Sequence, residues 1–333
     1  MSFDLPNRQQ LESAAAIVYE AMTPTPQYCW PLINQALGCE VWIKHENHTP
    51  TGAFKVRGGL VYLHRLAKRE PGVRHIVSAT RGNHGLSLGF ASKRHGMTAH
   101  IVVPRGNSKE KNRAMQALGV DLIEFGDEFQ DSREHAADAS VRHGWHMIPS
   151  MHTDLLSGVA SYWLEFFTAQ PDLDLVFVPI GQGSGICAAV AAKKALGLQT
   201  KIIGVVSAHA MAYKKSFEAG CKIESPVSTQ IADGLACRVP DDLSLQIIQA
   251  DVNQVLAVSD AEVAAAMKLM FVTTHNVAEG AGAAALAAAI QIKSALHGLK
   301  VGVPLCGGNV DAEQFSAVIG TWNYANTAAE VFA

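Results

Sequence analysis

The chain has 333 residues, 48% of them hydrophobic and 17% charged, and a formal net charge of −3. That is enough apolar material for one large or two modest cores, and without a basic excess there is no ground for nucleic acid or an anionic membrane as partner. Residues 1–6 lack the basic-then-apolar order of a signal peptide, and the longest strongly apolar run, 280–290, is too short to span a bilayer. Six cysteines without a C-x-x-C pair read as reduced thiols, so a cytoplasmic location is expected. The fourteen histidines show no ligand spacing, and no metal site is expected.

A helix is predicted over 6–22, where Leu11, Ala14, Ala15, Val18, Tyr19 and Met22 recur at helical spacing, and the Thr-Pro-Thr-Pro run at 23–26 stops it. A short strand at 40–44 follows. Residues 49–52 (Thr-Pro-Thr-Gly) read as a turn opening into an amphipathic helix toward Arg69, which puts Lys55 in its first turn. Regular alternation then sets in: strand 75–79, helix 85–95, strand 99–104, helix 108–118, strand 121–125 and helix 128–144. Strand 146–148 and helix 154–167 lead to strand 175–180, whose unbroken apolar run fits a strand covered on both faces. Helix 186–196, strand 201–206, helices 212–219, 260–274 and 281–295, and strand 300–305 complete the series. Such alternation with short joins makes an α/β protein on parallel sheets. So many units ask for more than one sheet, and a two-lobed molecule with a cleft is expected.

Four stretches carry chemistry. Lys55 stands between apolar Phe54 and Val56 at the positive end of a helix dipole, which lowers an amine's pKa and readies it as a Schiff-base nucleophile. A surface lysine in a loop is the alternative. The loop 78–85 (Ser-Ala-Thr-Arg-Gly-Asn-His-Gly) leaves backbone N–H groups free for a carboxylate or another small anion, unless it is an ordinary turn capped by its Asn. The loop 179–185 (Pro-Ile-Gly-Gln-Gly-Ser-Gly) suits a small phosphate. A dinucleotide fits it poorly, because position 186 is Ile186 and the next strand ends in Ser207 where an acid is needed. In 305–311 (Leu-Cys-Gly-Gly-Asn-Val-Asp), Cys306 reads as plain packing or as a wall for something flat. A Schiff-base lysine, a phosphate cradle and an anion loop together describe a site for pyridoxal phosphate and an amino acid.

In matching order from about Tyr28 to Asp311, the chain carries K-x-E-N and T-G-A-F-K-x-R-G-G (44–59), R-G-N-H-G (81–85), and P-S-x-H with G-V-A-S-Y (149–162). V-P-I-G-Q-G-S-G (178–185), I-A-D-G-L (231–235), V-A-E-G-A-G-A-A-A-L (277–286) and C-G-G-N-V-D (306–311) follow. On these motifs it resembles the fold-type II, tryptophan-synthase β-like, pyridoxal-phosphate enzymes, in the serine/threonine dehydratase and serine racemase branch. The resemblance implies parallel twisted sheets flanked by helices, with a large cofactor-binding domain over 1–74 and 152–333. A small domain over 75–151 is inserted in it and moves over the active site. It further implies that Lys55 carries pyridoxal 5'-phosphate as a Schiff base, that Phe54 packs beside the ring, and that Asn83 bonds the ring 3'-oxygen. Gly181, Gln182, Gly183, Ser184 and Gly185 would hold the phosphate, Cys306 would stand beside the pyridine nitrogen, and Glu279 would lie near the cofactor. The backbone of Thr80, Arg81, Gly82, Asn83 and His84 would grip the substrate carboxylate. Relatives of this kind are often homodimers.

A thiol beside the ring nitrogen is a far weaker acid–base partner than an aspartate, so a long-lived carbanion is disfavoured. α,β-Elimination suits that setting: Lys55 takes the Cα proton, the β-substituent leaves, and a 2-oxo acid and ammonia result. The expected enzyme is a lyase, a dehydratase (ammonia-lyase) for L-threonine- or L-serine-type 3-hydroxy amino acids or a bulkier one such as L-phenylserine. Alternatives are a threo-3-hydroxyaspartate dehydratase, a serine racemase-like enzyme and, of another class, a nicotinamide-dependent oxidoreductase. Arg81 stands where racemases carry the serine that works on the second face, and a guanidinium is a poor proton shuttle. It faces an acidic β-substituent, stacks on an aryl group, or turns outward to surface carboxylates. Ala53 replaces a common serine, 205–209 lacks the acid of a divalent-cation site, and no C-terminal regulatory domain is expected after Asp311.

Overall fold

The computed structural model describes residues 5–320; residues 1–4, the start of the stretch read as leaderless, and 321–333, the end of the expected large domain, lie outside them. Helix α1 (Arg8–Tyr19) starts in a reciprocal capping box between Asn7 and Gln10. Strand β1 (Gln27–Cys29), helix α2 (Pro31–Leu37) and strand β2 (Glu40–His45) lead to α3 (Lys55–Arg69). Then come β3 (His75–Ala79), α4 (Asn83–Lys93), β4 (Thr98–Val103), α5 (Lys109–Ala117), β5 (Asp121–Glu124), α6 (Phe129–His143) and β6 (His146–Met147). Helix α7 (Thr153–Ala169), β7 (Leu175–Pro179), α8 (Ser184–Leu196), β8 (Lys201–Ser207) and α9 (Ala212–Ala219) follow. The chain continues through α10 (Asp242–Asp251), β9 (Gln254–Val258), α11 (Asp260–Thr274), α12 (Gly280–Gln291), β10 (Lys300–Leu305) and α13 (Ala312–Gly320). The expected alternation is present, and β1, α2, α10, β9 and α13 are added to it. No helix among the described residues is long and apolar enough to cross a membrane.

The strands form two sheets, ordered β1-β2-β10-β7-β8-β9 and β5-β4-β3-β6. Apart from the antiparallel β1–β2 ladder, every ladder is parallel. Both faces of each sheet are covered, which is why the strands read as continuous apolar runs. In the larger sheet Phe177, Val205 and Val303 share a core with Ile33, Met267 and Leu286 of α2, α11 and α12. Their chain neighbours Val176, Val178 and Val206 face the other way, onto Trp163, Phe166, Val190 and Ile248 of α7, α8 and α10. In the smaller sheet Ile76 and Ile101 pack on Val18, Leu63 and Leu88 of α1, α3 and α4, while Val77 and Val102 pack on Ala136 of α6.

The strand orders decide where a ligand goes. From β3 the chain steps to β4 and β5 on one side and returns with β6 on the other; from β7 it steps to β8 and β9, and β10 lies on the opposite side. Such reversals open a crevice at the C-terminal ends of the strands. The loops after β3, β7 and β10 are the three that sequence had singled out.

Candidate active site

Both crevices open onto one cavity of about 140 Å³. Its wall brings together Phe54, Lys55, Thr80, Arg81, Gly82, Asn83, His84, Gly181, Gln182, Gly183, Ser184, Gly185, Glu279 and Cys306, which are all the residues expected at the site. Gly52 closes the turn before α3 with a left-handed φ of 70° and its N–H on the Thr49 carbonyl at 3.0 Å. The Phe54 N–H then bonds the Cys306 carbonyl at 3.0 Å, tying the start of α3 to the end of β10.

Lys55 is the first residue of α3, and its amine donates to Ser184 Oγ at 2.8 Å. The Nζ lies 5.1 Å from the centre of the Phe54 ring. Burial pushes the amine down to about 8, with the Cys306 sulfur acting weakly the other way. Only the unprotonated amine is nucleophilic. Cofactor-free protein is therefore expected to take up pyridoxal phosphate at a rate rising about tenfold per unit up to pH about 8 and level above it. A rate, followed by absorbance, that keeps climbing to pH 10 as for an ordinary lysine contradicts this.

Helices α4 and α8 both begin at the cavity wall. The first N–H groups of each have no carbonyl partner within the helix, and the two positive dipole ends converge with Lys55 on one space. Gly183, just before α8, has a φ of 99°, and a Cβ there would strike Ser244. A Cβ on Gly181 would strike the Gly234 carbonyl, and one on Gly82 the methylene stem of Lys111. No side chain fits at these three positions, so backbone lines the cavity there.

Glu279, the N-cap of α12, is a carboxylate set in this cationic space. Asn83 Nδ2 donates to its Oε1 at 2.6 Å, and Asn309 Nδ2 donates to Asn83 Oδ1 at 2.9 Å. Burial pushes the Glu279 carboxyl up, and Lys111 acts against it. Lys111 of α5 donates to Asp233 Oδ2 at 2.8 Å and lies 3.5 Å from Glu279 Oε2. Burial alone would lower Lys111, but Glu279 and Asp233 overcome it and raise its pKa. The two lysines of the cavity are therefore opposites: Lys55 sheds its proton readily and Lys111 holds on to its own. Sequence patterns do not separate Lys111 from the surface charges around it on α5. Asp233 lies in the I-A-D-G-L motif, which was the one available signal.

The remaining groups have fixed charge states. Burial pushes the Cys306 thiol well up, so it stays a neutral thiol. Burial pushes His84 down to about 3, helped by the Lys55 cation, so its ring is neutral. His84 Nε2, Arg81 Nε and Glu279 Oε2 are buried without a hydrogen-bond partner.

Motif residues Lys44, Glu46 and Arg57 are absent from the cavity wall and build what lies beneath it. Arg57 donates from Nε and Nη2 to Glu46 at 2.7 and 2.9 Å and from Nη1 to Glu165 Oε1 at 2.6 Å. Lys44 Nζ donates to Glu165 Oε2 at 2.5 Å. Arg57 is two residues beyond Lys55 on α3, so this network fixes the helix that carries the Lys55 amine.

The cavity fits pyridoxal phosphate. It offers a buried amine that loses its proton easily, a glycine-lined helix N-terminus with the Ser184 hydroxyl for a phosphate, and polar atoms left without partners. The family model for pyridoxal-phosphate dependent enzymes matches residues 18–307. The chain is 30% identical over 289 residues to an L-threonine ammonia-lyase of Thermotoga maritima, covering 86% of this chain and 72% of that protein. It is 28% identical over 318 residues to an L-threo-3-hydroxyaspartate ammonia-lyase of Saccharomyces cerevisiae, covering 95% and 97%. Among solved structures it is similar to maize serine racemase, with a TM-score of 0.88, 26% identity, and coverage of 98% of this chain and 99% of that one.

Proposed function

The chain belongs to the pyridoxal-phosphate dependent enzymes and is a lyase with pyridoxal phosphate as its cofactor; from that premise we propose that it dehydrates an L-3-hydroxy amino acid to a 2-oxo acid and ammonia by α,β-elimination. The observation that carries this reading is Lys55, a buried amine of pKa about 8 facing two helix N-termini in one cavity. Bound pyridoxal phosphate supplies a ring that draws electron density from Cα of an amino acid held through its nitrogen. The N-terminus of α8 with Gly181, Gln182, Gly183, Ser184 and Gly185 would take its phosphate, and the Lys55 amine would hold it covalently. The N–H groups of residues 80–84 at the start of α4 take the substrate carboxylate. Asn83, oriented by Glu279 and Asn309, would be the side chain that holds the cofactor's polar edge.

With a substrate amino acid bound, Lys55 Nζ would be the base for the Cα proton, with Ser184 Oγ as its hydrogen-bond partner. The Cα–H and Cβ–O bonds break, water leaves, and the released enamine tautomerises and hydrolyses to the 2-oxo acid and ammonia. Cys306, held as a neutral thiol by burial, would be a poor proton donor to the ring of a bound cofactor, a setting that would favour prompt loss of the β-hydroxyl. Racemisation needs a second acid–base group on the other face, and Arg81 is unsuited to that task.

Residues 75–151 act, in this reading, as a unit that moves over the cavity. Around the cavity its contacts are polar and exchangeable: Lys111 to Asp233, Asn83 to Glu279, Ser108 to Asp311, and the Ala312 N–H to Glu110. On the other side Ile76 and Ile101 share a buried apolar core with Val18, Leu60 and Leu63 of α1 and α3, so in this reading those helices travel with it. The test is a panel of L-serine, L-threonine, L-phenylserine and L-threo-3-hydroxyaspartate, with ammonia, 2-oxo acid and the D-isomer measured together. Ammonia and 2-oxo acid in equal amounts, with no D-isomer, are expected. D-isomer without ammonia makes the protein a racemase, and no product from any substrate rejects the proposal.

A further inference from the structure

In the proposed reaction the cavity takes two anions, and a third cationic place in its wall is left over. The phosphate and the substrate α-carboxylate each have a helix N-terminus. The third place is beside Arg81, at the end of β3. Its guanidinium cannot shed a proton, its Nε is buried, and among the described residues it has no hydrogen bond or ion pair. Lys111, the other permanent cation of the wall, is already matched by Asp233 and Glu279. An unmatched charge at a partly desolvated wall is costly until an anion arrives.

Arg81 is also shared with a second cavity, of about 480 Å³, that opens toward the surface; Phe129, Gln182 and Ala236 belong to both walls. This outer space carries Arg133 and Arg238 as well. Its two carboxylates are Glu224 and Glu128, and Glu128 caps α6 and stands 4.0 Å from Arg238. Three guanidinium groups against two carboxylates leave the approach to the β-position cationic. An outward, carboxylate-paired Arg81 is not what the structure has, and an aryl group would leave its charge unmet.

We propose that Arg81 selects substrates carrying a second carboxylate on Cβ, so that the preferred substrate is a 3-hydroxy amino acid with an acidic side chain. This rests on the elimination reading above. The atoms balance without a further reactant: Cα–H and Cβ–OH leave as water, and hydrolysis of the resulting imine releases ammonia and a 2-oxo dicarboxylate.

Two readouts on the holoenzyme test it. The first is the ratio of kcat/KM for L-threo-3-hydroxyaspartate to that for L-serine and L-threonine. It is expected on the order of 100-fold or more in the unmodified enzyme and to fall by about 100-fold in Arg81→Gln, with partial recovery in Arg81→Lys. The second is calorimetric binding of succinate against propionate, neither of which can react. Succinate is expected to bind at least about tenfold more tightly, and the difference to vanish in Arg81→Gln. Unfolding midpoint and cofactor absorbance establish that the variants are folded and loaded. A ratio near unity, or one that Arg81→Gln leaves intact, overturns the proposal. If no hydroxy amino acid releases ammonia, the elimination reading fails, while succinate discrimination still decides whether Arg81 reads a second carboxylate.

Discussion

Lys55→Ala is expected to lower turnover of every accepted substrate by roughly 10⁴-fold or more, because in the proposed mechanism one side chain serves both as the covalent anchor and as the Cα base. The helix N-terminus of α8 and its glycines, the proposed phosphate site, are untouched, so the variant is expected still to bind the cofactor through its phosphate alone. Borohydride separates the two forms: it should bleach the unmodified enzyme and fix the cofactor on the peptide containing Lys55, and it should leave Lys55→Ala releasing free cofactor on denaturation. The informative competitor is Lys111, the second lysine of the wall. Glu279 and Asp233 keep Lys111 protonated, so it cannot replace the missing amine. Label on Lys111 in the unmodified enzyme, or turnover in Lys55→Ala within tenfold of normal, would remove Lys55 from the mechanism.

How much of this was legible in the sequence follows from the range of each interaction. The turn at 49–52, the loops after β3, β7 and β10, and the start of α3 are made by residues adjacent in the chain, and their glycines and short polar side chains mark them. Parallel sheets with both faces covered follow from runs such as Leu175–Pro179. Lys111 and Asp233 are 122 residues apart, and Arg57 and Glu165 are 108 apart. Only the folded chain joins such pairs, so in the sequence the stretches of α5 and α7 read simply as helices. The sequence pattern predicts no element for the stretch of α10 and β9, although Asp241 caps α10 and Leu245, Ile247 and Ile248 are buried. The loop before α10 has neither the glycine spacing nor the apolar run that marks the other units. Arg81 was recognisable as a departure from the family pattern, but only the two cavities show which way it faces.

The ion network under Lys55 gives the second large effect. Glu165 is the acid on which Arg57 and Lys44 meet, and the side chains of all three are at most 7% exposed. Glu165→Gln keeps the shape and removes the charge, leaving two buried cations with Glu46 as the one carboxylate close to Arg57. A loss of about 3–5 kcal/mol is expected in urea unfolding at neutral pH. The effect should also depend on pH in a definite sense. Burial raises the Glu165 carboxyl, but Arg57 and then Lys44 overcome it and hold the pKa below the ordinary value. The folded state therefore binds fewer protons here than the unfolded chain. Its stabilisation is fully present above the unfolded glutamate value of about 4.3 and is lost as pH falls through the lower, folded value. The gap between the unmodified protein and Glu165→Gln should thus be constant from about pH 8 to 5 and close in stronger acid. A gap below about 1 kcal/mol, or one that widens on acidification, would mean that the network adds no net stability and serves only to orient α3.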